Sequence, residues 1–454
     1  MKKVFSLLFA ALFLALCLVP SVGLLLGHGA GEAANQQLAV LPSPTNKDGS
    51  LNADYLPGLG RYVNDRFFLR QEAVTLWASL NAGLLRSSVT KDVLCGRDGW
   101  LYFTPTLPDY TRTGQMTARE TWCAARRLAL LQEYVEARGG RFLFVIAPNK
   151  NSLYPACMPE LPRSDAPTNA EALLEELRVQ QVSTLDLFAL FRAQAEELYY
   201  PRDSHWNARG AALAADALLA ALGRESAYFA ADFGEARHSS DLYEMLFPAG
   251  AETDPDFVYT PGFAFTANSK KTYNQMLKTQ CERGEGALLM YRDSFGGALY
   301  PYLAEEFGEA VFLRSETYDP TALAPGGCLV VEIVERNLSR LAGGAMILPA
   351  PTRDPAPVRD AQPGDAAVKI TLAKDGPEGY TVPEGYTVLC GDLDGLCPAS
   401  DSPVYAELGG SLYEALPGPA DFRLCLPEEA LSGEIRVYIR TAEGWICLEG
   451  RMEE

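Results

Sequence analysis

Histidine is scarce in this chain of 454 residues, with three in all. No pair among the ten cysteines has the close spacing of a metal finger, so a structural zinc site is not expected. No motif asks for a cofactor. Excess positive charge is missing too. There are 58 acidic residues against 39 basic ones, a net charge of −19. A surface so poor in cations excludes nucleic acid or anionic lipid as the main partner. Apolar residues make up 48% and charged residues 21%, which excludes disorder of the whole chain. Long hydrophobic runs are absent but for one, Val4 to Leu26, preceded by Lys2 and Lys3.

That run carries the address. A short positive segment followed by about 20 apolar residues reads as a signal peptide or an uncleaved anchor, with the bulk of the chain outside the cytoplasm. Its length favours the anchor, and the small residues of 29–34 leave cleavage open. Cys17 follows Leu16, a poor lipoprotein site, and reads as one more apolar residue. Nine cysteines follow the leader, an odd number that leaves at least one without a partner inside the chain. Cys328 and Cys425 lie in apolar runs and read as core thiols.

The chain divides by pattern. Residues 1–34 are the leader, and 35–90 an extracytoplasmic stalk with an amphipathic helix from Arg61 to about Leu85. Residues 91–348 alternate strands and helices. The strands are Arg141–Ala147, Val182–Leu187, Ala287–Tyr291, Ala310–Leu313 and Cys328–Val334. The helices are Thr117–Ala137, Ala170–Val179, Phe188–Leu198, Ala208–Leu222 and Gly297–Phe307. Such alternation specifies an α/β fold with a parallel sheet flanked by helices. Five prolines between Pro349 and Pro363 read as a linker, 349–366. From 367 to 454 the period becomes two, in Val368–Leu372, Tyr386–Leu389, Phe422–Leu426 and Ile435–Arg440, which predicts a small antiparallel β domain.

Two local signals bear on chemistry. In Tyr199-Tyr-Pro-Arg-Asp-Ser-His-Trp206, Asp203 and His205 are two apart, so on extended backbone both leave the same face. A carboxylate there can hold Nδ1–H of the imidazole and leave Nε2 as a general base. In Leu288-Leu-Met-Tyr-Arg-Asp-Ser294-Phe-Gly-Gly297, Ser294 follows an apolar strand and opens a helix. That is the carboxyl edge of a parallel sheet, where open α/β folds put their sites, beside helix N–H groups that can hold an oxyanion. Serine needs a base. Beyond the leader only His205 and His238 remain, and His238 has no acid beside it in sequence. A blander reading stays open at this point: Asp-x-His as a surface turn, Asp293 as a helix cap and Ser294 as a bystander.

The Asp-Ser-His-Trp motif, the Asn-x-x-Gly-Ala after it and Arg-Asp-Ser-Phe after an apolar strand resemble the DHHW family and the related SGNH-type domains of alginate O-acetyltransferases. Asp65-Arg-Phe-Phe-Leu-Arg70, Gly96-Arg-Asp-Gly-Trp-Leu101, Pro148-Asn-Lys-Asn-Ser-Leu-Tyr-Pro155 and Arg314 after a strand add to the resemblance, which runs from about residue 35 to 340. It implies an SGNH-hydrolase-like fold with Ser294 as nucleophile, His205 as base and Asp203 as its orienter. Arg314, Asn149 and Lys150 would lie near the site and bind substrate or oxyanion. Two positions depart from the pattern. Ser204 replaces a histidine. Gly296-Gly297 replace Ala-Asn, so a backbone N–H such as that of Gly296 would stand in for an amide side chain. The implied activity is transfer of an acyl group, acetyl foremost, to a cell-envelope or exopolysaccharide hydroxyl through an acyl-serine. The implied partners are a glycan acceptor, a membrane-embedded acyl donor protein and the membrane itself. Alternatives are a carbohydrate esterase with the same triad, or a non-catalytic envelope protein whose β domain stacks sugars on Tyr380, Tyr386 or Trp445.

Overall fold

The computed structural model describes residues 2–31, 38–85, 87–269, 275–373 and 382–453. The chain opens with α1 (Lys2–Leu25). Its Lys3–Leu25 stretch has a mean hydropathy of 2.5 and is long and apolar enough to cross a membrane, a property shared by anchors and export signals. The single helix expected over 61–85 is two, α2 (Tyr55–Arg66) and α3 (Arg70–Leu85). The break falls at Phe67–Leu69, where Leu69 takes φ 64°. A residue with a Cβ pays for that left-handed conformation, and a helix cannot run through it.

A hairpin pairs Val93–Cys95 with Leu101–Phe103. Its turn runs through Asp98 (φ 54°) and Gly99 (φ 80°), which accounts for the Asp-Gly pair. Then α4 (Ala118–Glu136) begins at a capping box: the Glu120 amide donates to Thr117 Oγ1 at 3.2 Å and the Thr117 amide to Glu120 Oε2 at 2.7 Å. The α/β body continues with β1 (Arg141–Ala147), α5 (Asn169–Val179), β2 (Thr184–Leu185), α6 (Ala208–Ala221), β3 (Phe233–His238), α7 (Asp241–Leu246), β4 (Asp254–Tyr259), β5 (Thr266–Ala267), β6 (Met276–Gln280), β7 (Ala287–Tyr291), α8 (Gly296–Glu306), β8 (Glu309–Leu313) and β9 (Cys328–Val334).

Seven of these strands form one sheet in the order β2-β1-β9-β7-β8-β6-β5. The first five run parallel. The last two join antiparallel, an edge the sequence reading did not include. Central β9 is buried at all seven positions, as a strand covered on both faces must be. One core packs α6 and α8 against the sheet, the other α4 and α5. The expected helix Phe188–Leu198 is shorter, Leu187–Arg192, and the expected strand 182–187 shrinks to β2. β3 and β4 form a separate ribbon.

The C-terminal region is a nine-stranded sheet, antiparallel except where Gln362–Ala373 runs parallel to Gly444–Glu453. The four alternating segments fall within its strands. The proline-rich stretch is more than a tether. Thr352–Arg353 pairs with Leu412–Tyr413, and the Ala350 amide donates to the Cys425 carbonyl at 2.9 Å. Proline, lacking a donor, is tolerated in such an edge segment. The two regions meet at a charged seam. Arg126 grips the buried Glu414 through two bonds of 2.6 and 2.7 Å, and Arg353 bonds both Glu414 at 2.7 Å and Glu133 at 2.6 Å. Trp445 stacks on Tyr405 at 5.5 Å and is half-buried, as is Tyr386; Tyr380 lies outside the described residues.

Candidate active site

Residues 198–207 fold back on themselves. The Asn207 amide donates to the Leu198 carbonyl at 2.8 Å and the Tyr200 amide to the His205 carbonyl at 3.2 Å. The fold-back is locked at its end. Asn207 caps α6 through Gly210 N–H at 2.9 Å. A Cβ on Gly210 would sit 2.4 Å from the Leu198 carbonyl oxygen, which explains the glycine three residues after the asparagine. Trp206 is buried, edge-on to Phe295 with centroids 4.9 Å apart and stacked near Phe191. The chain here is a tight turn, not the extended segment expected. The turn still brings Asp203 and His205 together, because Asp203 Oδ1 accepts both the His205 amide at 2.9 Å and Nδ1–H at 2.7 Å.

Across the sheet edge, Ser294 stands between β7 and α8. Its Oγ lies 2.8 Å from His205 Nε2. Ser294, His205 and Asp203 thus form one hydrogen-bonded line, with Nδ1 protonated toward the carboxylate and Nε2 facing the hydroxyl. Asp293 does cap the turn, as the blander reading held. Its carboxylate accepts the Phe295 amide at 2.8 Å and the Val334 amide at 2.7 Å. The cap fixes the turn that presents Ser294, so both functions coexist.

The line has a second imidazole. His238, at the end of β3, places Nε2 2.9 Å from Asp203 Oδ2 and stacks on Tyr200 with centroids 4.0 Å apart. The sequence reading set His238 aside for want of a nearby acid; the acid is Asp203 itself, supplied 35 residues away. The Asp241 amide also donates to Asp203 Oδ2, at 2.9 Å. Ser204, the departure from the family pattern, donates Oγ–H to Asp241 Oδ2 at 2.7 Å and so ties the turn to α7. Burial alone would raise the pKa of Asp203, but hydrogen bonds from His205 and His238 hold it well below the usual carboxylate range. Burial would lower the His205 pKa; the bond and the charge of Asp203 prevail and raise it above the usual 6.5. His238 is raised for the same reasons.

The remaining expected residues divide. Lys150 is buried beneath the turn. Its ammonium donates to the carbonyls of Tyr200 at 3.1 Å, Pro201 at 2.9 Å and Asp203 at 2.5 Å. Burial brings its pKa down to about 7. It braces the loop that carries His205 rather than opening to solvent. Asn149 is buried as well, its amide nitrogens bound to Glu335 at 2.9 Å and to Asp109 at 3.3 Å. Gly296 does not lend its N–H freely: it donates to Glu332 Oε2 at 3.1 Å, as the Asp293 amide does. A Cβ at Gly296 would meet Arg292 Cβ at 2.6 Å, so glycine is required there by space. Burial and the nearby Asp293 push the pKa of Glu332, beneath the Ser294 turn, well up. Arg314 lines the cleft over Ser294 and is exposed.

That cleft encloses about 1620 Å³ and runs from Phe103 past Ser294 to Tyr318 and Arg340. One lining residue escaped the sequence reading. Arg336, in the helical turn after β9, is half-buried, with its guanidinium 5.3 Å from the Phe103 ring and 5.8 Å from the Phe295 ring. Phe295 lies against the His205 imidazole, with centroids 4.7 Å apart. Arg336 has no hydrogen bond or ion pair among the described residues. The Ser294 amide likewise has no acceptor there. With exposed Arg314, they are donors beside Ser294 that stand available to an anion among the described residues.

A serine–histidine–aspartate line at the carboxyl edge of a five-strand parallel sheet defines an SGNH-type α/β domain. Residues 93–272 match the family model described as the SGNH hydrolase-like domain of acetyltransferase AlgX. The matched segment holds Asp203 and His205 and ends before Ser294. Among individual proteins, the probable alginate O-acetylase AlgJ of Pseudomonas syringae pv. tomato is 27% identical over 186 residues, covering 39% of this chain and 44% of that protein, so the chain spans less than half of that relative's length. The O-acetyltransferase domain of Pseudomonas putida AlgJ is 19% identical with a TM-score of 0.38, over 54% of this chain and 92% of that one. A DHHW family protein from Eubacterium siraeum is 13% identical with a TM-score of 0.41, over 57% and 98%.

Proposed function

We propose that the chain is an exported, membrane-tethered O-acyltransferase that moves an acetyl group onto a hydroxyl of a cell-envelope glycan or exopolysaccharide through an acetyl-Ser294 intermediate. The observation that carries the reading is the bonded line from Ser294 through His205 to Asp203. The family match and the alginate O-acetylase relative support acetyl and glycan as the chemical classes. The apolar α1 behind two lysines supports export.

The steps follow from the geometry. His205 Nε2 takes the Ser294 hydroxyl proton as Oγ attacks the carbonyl carbon of the donor ester. The tetrahedral oxyanion lies against the Ser294 amide and the Arg336 guanidinium. Fixed donors of this kind stabilise the transition state more than the ground state. The intermediate collapses, the donor's leaving oxygen takes the proton from His205, and acetyl-Ser294 remains. A glycan hydroxyl then enters, gives its proton to Nε2 and attacks the acetyl carbon; the Oγ–acetyl bond breaks and Nε2 returns the proton to Oγ, which frees Ser294. Asp203 stays ionised throughout and stabilises the imidazolium formed in each half.

The test uses the detergent-purified full chain, an activated acetyl ester and a polysaccharide acceptor. Mass spectrometry is expected to find acetyl on the peptide bearing Ser294 and, with acceptor present, acetyl on the glycan. Free acetate at the same rate with and without acceptor assigns the site to an esterase. Equal labelling of the Ser294→Ala variant sinks the acyl-serine route.

A further inference from the structure

Helix α3 wears its amphipathicity inside out. Ala78 faces inward and is buried among Val93, Leu101, Leu242 and Leu246. On the opposite side Leu69, Leu76, Trp77, Leu80 and Leu84 are between 41% and 79% exposed. Leu76, Trp77, Leu80 and Leu84 share one stripe about 12 Å long at 1.5 Å per residue, and Leu69 flanks it just before the helix. A helix on a soluble body turns such a stripe to the core, and a contiguous apolar surface left outside marks a contact site.

What covers the stripe follows from what it adjoins. The corner between α2 and α3 is seated on the last turns of α1. The Phe68 amide donates to the Pro20 carbonyl at 3.2 Å, and the Ala30 amide to the Arg66 carbonyl at 3.1 Å. Gly23 leaves room for the Phe68 side chain, since a Cβ there would lie 2.4 Å from Phe68 Cβ. Pro20 is five residues short of the end of α1, about 8 Å along its axis. Phe68 therefore sits beside the apolar part of the spanning helix, and Leu69, the next residue, flanks the stripe.

We infer that the exposed face of α3 lies in the interfacial layer of the bilayer that α1 crosses, with Trp77 at headgroup depth. Apolar residues on one face and a tryptophan among them suit a helix lying in the membrane plane. The consequence reaches the site. Helix α7 packs on the inner side of α3, and its first residue, Asp241, holds Ser204 in the catalytic turn. Docking α3 sets the height of the cleft above the lipid. This inference rests on the reading of α1 as a retained anchor.

The experiment reconstitutes the full chain into phosphatidylcholine vesicles with or without brominated acyl chains and compares wild type with Trp77→Phe. The fluorescence lost in the variant isolates Trp77. Brominated chains are expected to quench most of that component and aqueous iodide little of it, and Leu80→Glu is expected to reverse the order while the protein still floats with the vesicles. A floating protein whose Trp77 component ignores bromine overturns the docking alone. If iodide also fails to reach it, a protein surface such as a second copy covers the stripe instead. A chain that has lost α1 by intact mass and no longer floats overturns the anchor reading, and the docking with it.

Discussion

Arginine is used in opposite ways at the seam and in the cleft. At the seam Arg126 and Arg353 close on Glu414, and Arg353 also reaches Glu133. Arg127 is buried and donates to the Pro417 carbonyl at 3.0 Å. Each of these cations is held by protein acceptors, and together they fasten the β sheet to α4. In the cleft Arg336 rests on two aromatic rings and points its donors at no protein acceptor among the described residues. Saturated charge fixes geometry; an unsaturated charge held in place is available to a charge that appears during reaction. On the proposed mechanism the first is a matter of stability, the second of rate.

Variants can break this contrast. The largest effect is expected from Ser294→Ala: acyl transfer falls by about 10³-fold or more while the thermal transition stays put. A variant that keeps its rate removes Ser294 from the chemistry. Next, Glu414→Gln leaves Arg126 and Arg353 facing each other at a buried site. It is expected to lower stability by about 3 kcal/mol with little change in turnover, read by denaturant unfolding beside a steady-state assay. Arg336→Gln is the mirror case, with unfolding unchanged and kcat down about 10²-fold. A fall in stability with no fall in kcat would assign Arg336 to packing.

The smallest effect concerns pH. On the proposed mechanism His205 acts as a base only when neutral, and its pKa lies above the usual 6.5. Activity is therefore expected to fall as pH drops through a value higher than 6.5, and to level off above it. His238→Phe keeps the stack on Tyr200 and removes one donor from Asp203. The carboxylate then attracts the His205 proton more strongly, and the acid limb moves to higher pH by less than about one unit. A pH–rate profile of the variant that overlays wild type separates His238 from the relay.

Much of this was legible in sequence wherever the signal is local. Arg141–Ala147 and Cys328–Val334 are unbroken apolar runs, and they are the central parallel strands. Asp203 and His205 are two residues apart, and Ser294 follows a strand and opens a helix. What stayed hidden depends on long-range packing. His238 and Asp241 reach Asp203 only because the β3–β4 ribbon folds over the turn. Glu332 sits within an apolar run, and only its contact with Gly296 shows what it does there. Lys150 looks like an exposed cation until the Tyr200–Asp203 carbonyls are seen around it. The outward direction of the α3 stripe was not legible, because period 3.6 reports a face and not the direction in which it points.

Two of the three histidines converge on one carboxylate, which gives the protein an unplanned spectroscopic handle. Protein grown with isotopically labelled histidine would show three imidazoles: two at Asp203, and His28 beside Phe68 at the foot of α1. Tautomer, protonation and occupancy of the catalytic turn could be followed in the intact chain without adding a probe. The third signal would report at the same time on the packing of Phe68 at the end of α1.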